Sequence, residues 1–485
     1  MSKTIPMLDL MFYLTETPDN PRHVGAVQIF RRPARARKSL VKEIVEAYRA
    51  AVPVAPFNRV PEFPKVGFPR WREVDRFDMS HHVLHLALPP PGSNQQLHEL
   101  IAELHAPIMD RHRPGWKTYV IEGLEGGRFA LYHKVHHALV DGESGMQIMR
   151  RSLSASAQDQ TIRTTVSTRL TTSERSREVP QGLRRILEKE ARNLAKRTLS
   201  VGRGSARLVE SALEGLRGFS EQQTRAFTAP HTPLNEPIYN ARSITHCVFP
   251  LAGMKSIARC FGATLNDVAL AVVDAGVERY LSELGRPPEH PLVCVVPVSL
   301  RDAEASEATT QTSAIWPLLG EVSAPVAQRL KTIMANTAAG KEELRSMGKD
   351  AAYAFAVMSF AMSETLVIAK PEVFGMLPAN LLVSNVRGPD QPLYLNGAQL
   401  EALFPVSTLI VGLGLNVTFM SYDDKVVMGF TGNGSALPNI ESMGHYTEQA
   451  FETLQKAAAK AARRGSEPAA RRPAKRKAAR PRKKR

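Results

Sequence analysis

Apolar positions recur along this chain with two periods. Near the start, Val24-Gly25-Ala26-Val27-Gln28-Ile29-Phe30 reads as a short strand, and the residues over 39–51 then change to helical spacing. Up to about residue 150 such β-like and helical stretches alternate, which predicts an α/β or α+β domain. A second strand is predicted over 128–135, and it runs directly into His136 and His137, so the paired histidines stand at a strand end. From about residue 244 a similar texture returns. A helix is predicted over 266–284 and a buried strand over 292–300. Two closing strands follow over 407–419 and 425–430, separated by Tyr422-Asp423-Asp424. No short-period repeat is visible, and two halves of like texture are compatible with two distant copies of one fold.

Between the halves, residues 152–232 shift to Ser, Thr, Arg and Gln with few aromatics, the composition of a crossover connection. One helix is predicted inside it, over 181–199. Leu183, Ile186, Leu187, Ala191 and Leu194 follow helical spacing there, while Arg184, Arg185, Lys189, Arg192, Lys196 and Arg197 occupy much of the rest. Such a helix suits an anionic interface, or equally a solvated face packed on its own protein. The most apolar helical window, 351–369, carries Ser359, Ser363 and Glu364, so it reads as a buried or lipid-facing helix rather than a membrane span. At the N-terminus Asp9 interrupts the apolar run over 5–14 and no small-residue cleavage site follows, so no signal peptide is read.

With 485 residues and 43% hydrophobic content, the chain is longer than one core usually grows, and two domains are expected. Cys247, Cys260 and Cys294 lack a short paired spacing, which argues against a disulfide framework or a zinc cage and fits a reducing cytoplasm. The formal charge of +16 suggests a nucleic-acid protein until its location is considered. Residues 456–485 hold fourteen Lys or Arg against Glu467 alone, so the body is nearly neutral. The basicity belongs to a tail expected to be disordered, an arm for anionic lipid or nucleic acid. The expected units are thus 1–151, a helical basic linker 152–232, 233–455 and the tail 456–485.

Candidate chemistry concentrates in His136-His137-Ala138-Leu139-Val140-Asp141-Gly142. A neutral imidazole accepts a hydroxyl proton near neutral pH, which suits a general base. Asp141 is placed either to orient His137 or to shape the turn, and Gly142 would admit a backbone conformation closed to other residues. The competing readings are buried histidines with satisfied hydrogen bonds and metal ligands. No metal is expected, since a helical His-Glu-x-x-His and a Cys partner are both missing. Asn266-Asp267 follows Thr264-Leu265 at a helix start. It either directs an amide or backbone N–H at developing negative charge or is part of an ordinary N-cap.

The string His136 to Gly142 resembles the active-site motif of the CoA-dependent acyltransferase superfamily, and the chain resembles the bacterial wax ester synthase/diacylglycerol acyltransferase family. The resemblance covers nearly everything except the tail. Its parts are Leu8-Asp9, His23-Val24-Gly25, Phe77-Asp78, Asp110-Arg111-His112-Arg113-Pro114 and the run from Lys134 to Gly145. They continue with Asn266-Asp267, Val296-Pro297-Val298-Ser299-Leu300-Arg301, Ser384-Asn385-Val386-Arg387-Gly388-Pro389 and Gly414-Leu415-Asn416-Val417. This resemblance implies two chloramphenicol-acetyltransferase-like domains joined by a long crossover linker, with the active site in a channel between them.

It also implies His137 as the base, His136 as a packing neighbour, Asp141 as mainly structural, and Asn266 with Asp267 as part of the active site, Asn266 being the oxyanion donor. The substrates implied are acyl-CoA and a long-chain alcohol or diacylglycerol, giving wax ester or triacylglycerol by direct transfer with no separate cofactor. A chain of this kind is expected in the cytoplasm, peripheral on the inner membrane face or lipid inclusions, with nucleic acid reached only through the tail. The reading from another class is a non-catalytic lipid-surface protein that bridges lipid to anionic membrane or nucleic acid. Two positions depart from the family pattern. Pro114-Gly115-Trp116-Lys117 stands where Pro-Leu-Trp-Glu is usual, and Thr309-Thr310 lies near the place of a usual Gly-Asn step.

Overall fold

The computed structural model describes residues 3–35, 37–169, 229–299, 312–347, 377 and 379–466. The helix expected over 181–199, the window over 351–369, Leu300, Arg301, Thr309, Thr310 and residues 467–485 lie outside the described residues.

Two six-stranded mixed sheets organise the molecule. In the first, β2 (His23–Arg31), β7 (Arg128–His136), β6 (Trp116–Leu124) and β5 (Val83–Ala87) lie side by side. Successive β2 residues are buried on opposite faces: Phe30 joins one apolar cluster and Val27 and Ile29 join another. Phe129 and Leu131 of β7 divide from Ala130 and Tyr132 in the same way. A sheet covered on both faces explains why these strands read as nearly continuous apolar runs. Helix α2 (Leu40–Ala50) closes one face by burying Leu40, Val41, Ile44, Val45 and Tyr48. Burial of each such side chain contributes about 1.5–3 kcal/mol relative to exposure. Helix α3 (Asn94–His105) covers the other face and starts with a Ser93/Gln96 capping box.

The second sheet runs β10 (Thr312–Ile315), β9 (Cys294–Ser299), β11 (Leu381–Arg387), β14 (Leu415–Tyr422), β15 (Lys425–Asn433), β8 (Arg242–Pro250). Between α4 (Gly142–Ser152) of the first half and the long C-terminal helix the chain adds α5 (Leu251–Phe261), α6 (Leu265–Glu283) and α7 (Val326–Met347). Helix α6 is buried from Asp267 to Asp274 without a break, as expected of a helix enclosed by neighbours on every side. Among the described residues no single helix is long and apolar enough to cross a membrane. A third, small sheet sets β1 (Lys3–Thr4) beside β4 (Arg70–Glu73) and β3 (Arg59–Glu62), next to α1 (Met7–Thr15).

The halves are not independent. Strands β12 (Tyr394–Leu395) and β13 (Ala398–Val406) leave the C-terminal half, and β13 pairs antiparallel with β2, from Gln399 opposite Arg31 to Val406 opposite Gly25. The expected unit 233–455 therefore needs correction, because its segment 394–406 completes the first sheet. For the same reason the strand expected over 407–419 begins only at Leu415: after Val406 the chain must leave one sheet before entering the other. The halves also touch where α3 packs on β8, with His98 Nε2 2.7 Å from His246 Nδ1. The tail boundary moves as well. Helix α8 (Ile440–Ser466) runs past residue 456 because Leu454 and Ala458 continue its buried stripe.

Candidate active site

Strand β7, an inner strand of its sheet, ends at His136, and the backbone turns there through His137 into α4. His136 N–H donates to the Gly115 carbonyl at 2.8 Å and His137 N–H to the Arg22 carbonyl at 2.9 Å, so the residues leading into β6 and β2 fix both positions. Asp141 is the N-cap of α4: its carboxylate accepts the Ser144 N–H at 2.8 Å. Such a cap holds the turn that joins the motif to the helix. Gly142 is the first helical residue, and its φ lies outside the left-handed region; a Cβ there would meet Val386 Cγ2 of β11 at 3.5 Å. The conformational reason expected for Gly142 does not apply, and at 3.5 Å the strand from the other half is in ordinary contact distance of a side chain there.

His137 is half-buried, its ring stacked on Phe12 with centroids 4.2 Å apart and planes 14° from parallel. His136 is buried and stacks on Tyr13 at 3.9 Å and 9°. Its Nδ1 accepts the Ala138 N–H at 3.2 Å, so the neutral ring carries its proton on Nε2, which lies 3.5 Å from Glu16 Oε1. Adjacent residues of α1 therefore clamp adjacent histidines of the motif.

Glu16, one residue beyond α1, is the polar centre of this arrangement. Its Oε1 accepts the Arg22 N–H at 3.2 Å and lies 3.3 Å from His23 Nε2. Its Oε2 accepts from Arg111 Nη2 at 3.1 Å and Nε at 3.3 Å, while Arg111 Nη2 also donates to the Tyr13 carbonyl at 2.8 Å. Burial alone would raise the Glu16 pKa, but the polar contacts from His136 and His23 outweigh it and hold the carboxyl below its ordinary range. His23, by contrast, is pushed down to about 3 by burial, and His136 is lowered by the same cause. A charged carboxylate thus faces two neutral imidazoles. Sequence reasoning missed Glu16. The available signal was indirect, since the His23 and Arg111 segments that carry the family resemblance meet at this residue.

Beyond the histidines lies a cavity of about 510 Å³ lined from both halves. His137, Val24, Gln28, Trp116 and Lys117 come from the first sheet's side, with Met146 and Met149 from α4. Pro297, Ser384, Asn385 and Asn416 come from the second. Its C-terminal wall carries a chain of hydroxyls. Thr418 Oγ1 lies 2.6 Å from Ser384 Oγ and 2.9 Å from Ser407 Oγ, and donates to Asn416 Oδ1 at 3.1 Å. Thr408 Oγ1 donates to the Pro21 carbonyl at 3.3 Å and buried Arg22 donates to the Leu409 carbonyl at 2.8 Å. That binds the hydroxyl wall to the segment whose carbonyl holds His137.

Asn266 and Asp267 do not line this cavity. They form the first turn of α6, where Thr264 Oγ1 accepts the Asp267 N–H at 3.2 Å and the Asp267 carboxylate accepts back from Thr264 N–H at 2.9 Å. Asp267 also accepts from Thr337 Oγ1 at 2.7 Å. The capping alternative describes this pair, and the structure does not bring Asn266 to His137. Of the two departures near β6, Gly115 lies against the motif: a Cβ there would come within 3.0 Å of His136 Cβ and 3.4 Å of Leu139 Cδ1. Lys117 lines the cavity. None of the three cysteines lines it, and no group of His, Cys, Asp or Glu among the described residues could hold a metal ion.

Two sheet-based halves with a strand exchanged between them and a histidine facing the shared cavity define the two-domain CoA-dependent acyltransferase fold. A starter condensation domain of the rhizomide synthetase RzmA shares that fold at 11% identity, with a TM-score of 0.51 and 95% of each chain covered. The chain belongs to the wax ester synthase/diacylglycerol acyltransferase family. The model of that family's catalytic domain matches residues 5–269 and that of its C-terminal domain residues 311–455. A wax ester synthase/diacylglycerol acyltransferase from Marinobacter aquaeolei VT8 superimposes with a TM-score of 0.75 at 28% identity, over 94% of this chain and 100% of its own. The O-acyltransferase WSD of Acinetobacter baylyi is 30% identical over 459 residues, covering 93% of this chain and 97% of its own. The chain is an acyl-CoA-dependent O-acyltransferase.

Proposed function

We propose that this enzyme moves a long-chain acyl group from acyl-CoA to a fatty alcohol or diacylglycerol by direct transfer, with His137 as general base. The observation that carries the reading is the shared cavity: the motif histidine on one wall faces a largely apolar space whose opposite wall bears hydroxyl groups. His137 takes the acceptor's hydroxyl proton as the oxygen bonds to the thioester carbonyl carbon. The tetrahedral intermediate then collapses with cleavage of the C–S bond, and the imidazolium returns its proton to the departing thiolate. No acyl-enzyme is formed, and no step passes through a cofactor. The negative oxygen of the intermediate is served by Ser384 or Ser407, either of which can rotate its proton from Thr418 Oγ1 onto the oxyanion. Asp141 keeps the turn and His136 the packing. The lipid substrates place the protein on a membrane face or lipid inclusion.

The test is CoA release from palmitoyl-CoA by purified wild-type chain and the His137→Gln variant, with hexadecanol and with a diacylglycerol offered separately. The expected loss is at least about a thousandfold, near 4 kcal/mol of barrier. Equal rates would return the chain to the non-catalytic lipid-surface reading. Removal of either serine by Ser384→Ala or Ser407→Ala is expected to lower kcat about tenfold to a hundredfold. The acceptor that sustains turnover decides between wax ester and triacylglycerol.

A further inference from the structure

The histidine clamp is connected to the surface through aromatic residues. Tyr13, stacked on His136, meets Trp71 of β4 and Phe63 of the β3–β4 hairpin edge-on, each with centroids 6.0 Å away. Past Phe63 the hairpin projects into solvent. Phe63, Val66 and Phe68 are 45%, 89% and 47% exposed, and they are three of the eight large exposed apolar residues among those described. At the tip Gly67 takes φ +99°, a conformation nearly closed to other residues, and a Cβ there would meet nothing within 4 Å. The same end of the molecule exposes Leu14, next to Tyr13, and Ile108, three residues before Arg111, which is anchored on Tyr13.

Charge surrounds this apolar tip unevenly. Arg59 is paired with Glu73 and Arg70 with Glu62, whereas Lys65 at the tip, Arg72 on β4 and Lys3 on β1 make no ion pair among the described residues. A convex apolar tip with surplus cations at its base fits a fluid anionic lipid surface, which accepts inserted side chains and attracts the cations. We propose that the β3–β4 hairpin, with Phe63, Val66 and Phe68 at its tip and Lys65 and Arg72 around it, inserts into an anionic lipid surface and sets the Phe12–Tyr13 clamp at the place where a lipid acceptor leaves that surface for His137. Docking stands on the hairpin alone; delivery to His137 rests on the acyl-transfer reading.

The test uses the full chain and vesicles of phosphatidylcholine with about a third phosphatidylglycerol, at ~0.5 M salt to screen the basic tail. Val66→Ser combined with Phe68→Ser, which leaves Phe63 against Tyr13, is expected to lower vesicle partition at least about tenfold, and turnover of vesicle-borne diacylglycerol with it. Turnover of a water-soluble short alcohol is expected to stay within about twofold. Partition within about twofold of wild type overturns the proposal, as does a self-association that these substitutions abolish without changing partition. A second variant guards against misfolding: Val66→Trp, at an open position, is expected to gain indole emission that brominated acyl chains quench, and unquenched emission overturns the insertion. Wild-type chain that releases no CoA with either acceptor sinks the acyl-transfer reading, while partition and quenching still judge the hairpin.

Discussion

Replacing Glu16 by Gln keeps the side chain's shape and removes the charge at the centre of the clamp. In the native protein Oε1 receives the Arg22 N–H and Oε2 receives two N–H groups of Arg111. An amide offers one oxygen and one NH₂. Whichever way it turns, a donor faces a donor: the Arg22 backbone in one orientation, the Arg111 guanidinium in the other. An unsatisfied buried donor costs about 1–3 kcal/mol. The loss of charge assistance adds less than its full worth because the Arg111 side chain is 39% exposed and screened by solvent. The sum is about 2–4 kcal/mol, equivalent for a chain of this length to a drop in Tm on the order of 2–4 °C. His136 loses its carboxylate partner and Tyr13 its anchored guanidinium, so the stacked histidines loosen. A fall in kcat of about tenfold corresponds to only about 1.4 kcal/mol of barrier. Differential scanning fluorimetry and a thiol-detecting CoA-release assay measure the two effects. A variant that melts within about 1 °C of wild type and turns over at the same rate would refute the reasoning, because neither stability nor the base would then depend on this carboxylate.

Asn266→Ala is expected to leave kcat within about twofold, whereas Asp267→Ala lowers thermal stability by about 1–3 kcal/mol, since it breaks a capping box and the Thr337 contact. A large loss of kcat with Asn266→Ala at unchanged Tm would restore the oxyanion role. Asp141→Ala should destabilise by about 1 kcal/mol through loss of the Ser144 cap, with a smaller effect on kcat than His137→Gln; steady-state kinetics beside a melting curve separates the two. Acid should weaken the fold early. Burial lowers His23 and His98 to about 3 and His82, His133 and His246 to about 4, so they are neutral in the folded chain and gain protons on unfolding below about pH 6.5. Their contribution is complete above that pH and is lost as pH falls toward about 4, at up to about 1.4 kcal/mol per group per pH unit. A Tm that stays level from pH 7 to pH 5 would contradict this.

Local pattern revealed much of the secondary structure because burial on both faces leaves a continuous apolar run. The strands over 24–30 and 128–135 and the helices over 39–51 and 266–284 match β2, β7, α2 and α6 within a residue or so at each end. The exchange of β13 was not legible: no strand was expected over Ala398–Val406, and the segment carries no local sign of which sheet receives it. Register came from contacts with β2 more than three hundred residues upstream. His137 was legible as chemistry because its motif is contiguous. Glu16 was not, since its importance arises from His23, Arg111 and His136, which only tertiary structure assembles. At Asn266 the sequence allowed both a cap and an oxyanion donor, and the Thr264-to-Asp267 spacing already contained the pattern that the fold uses.

The exchanged strand also orders events during synthesis. Until residue 406 has emerged from the ribosome β2 has an unsatisfied edge, and until residue 418 has emerged the hydroxyl wall opposite His137 is incomplete. A nascent chain that already displays the complete histidine motif therefore lacks the C-terminal wall of the cavity that His137 lines. Completion of the first sheet and of the cavity wall both come late in translation, within about a dozen residues of each other, which links the complete cavity to the integrity of almost the whole polypeptide.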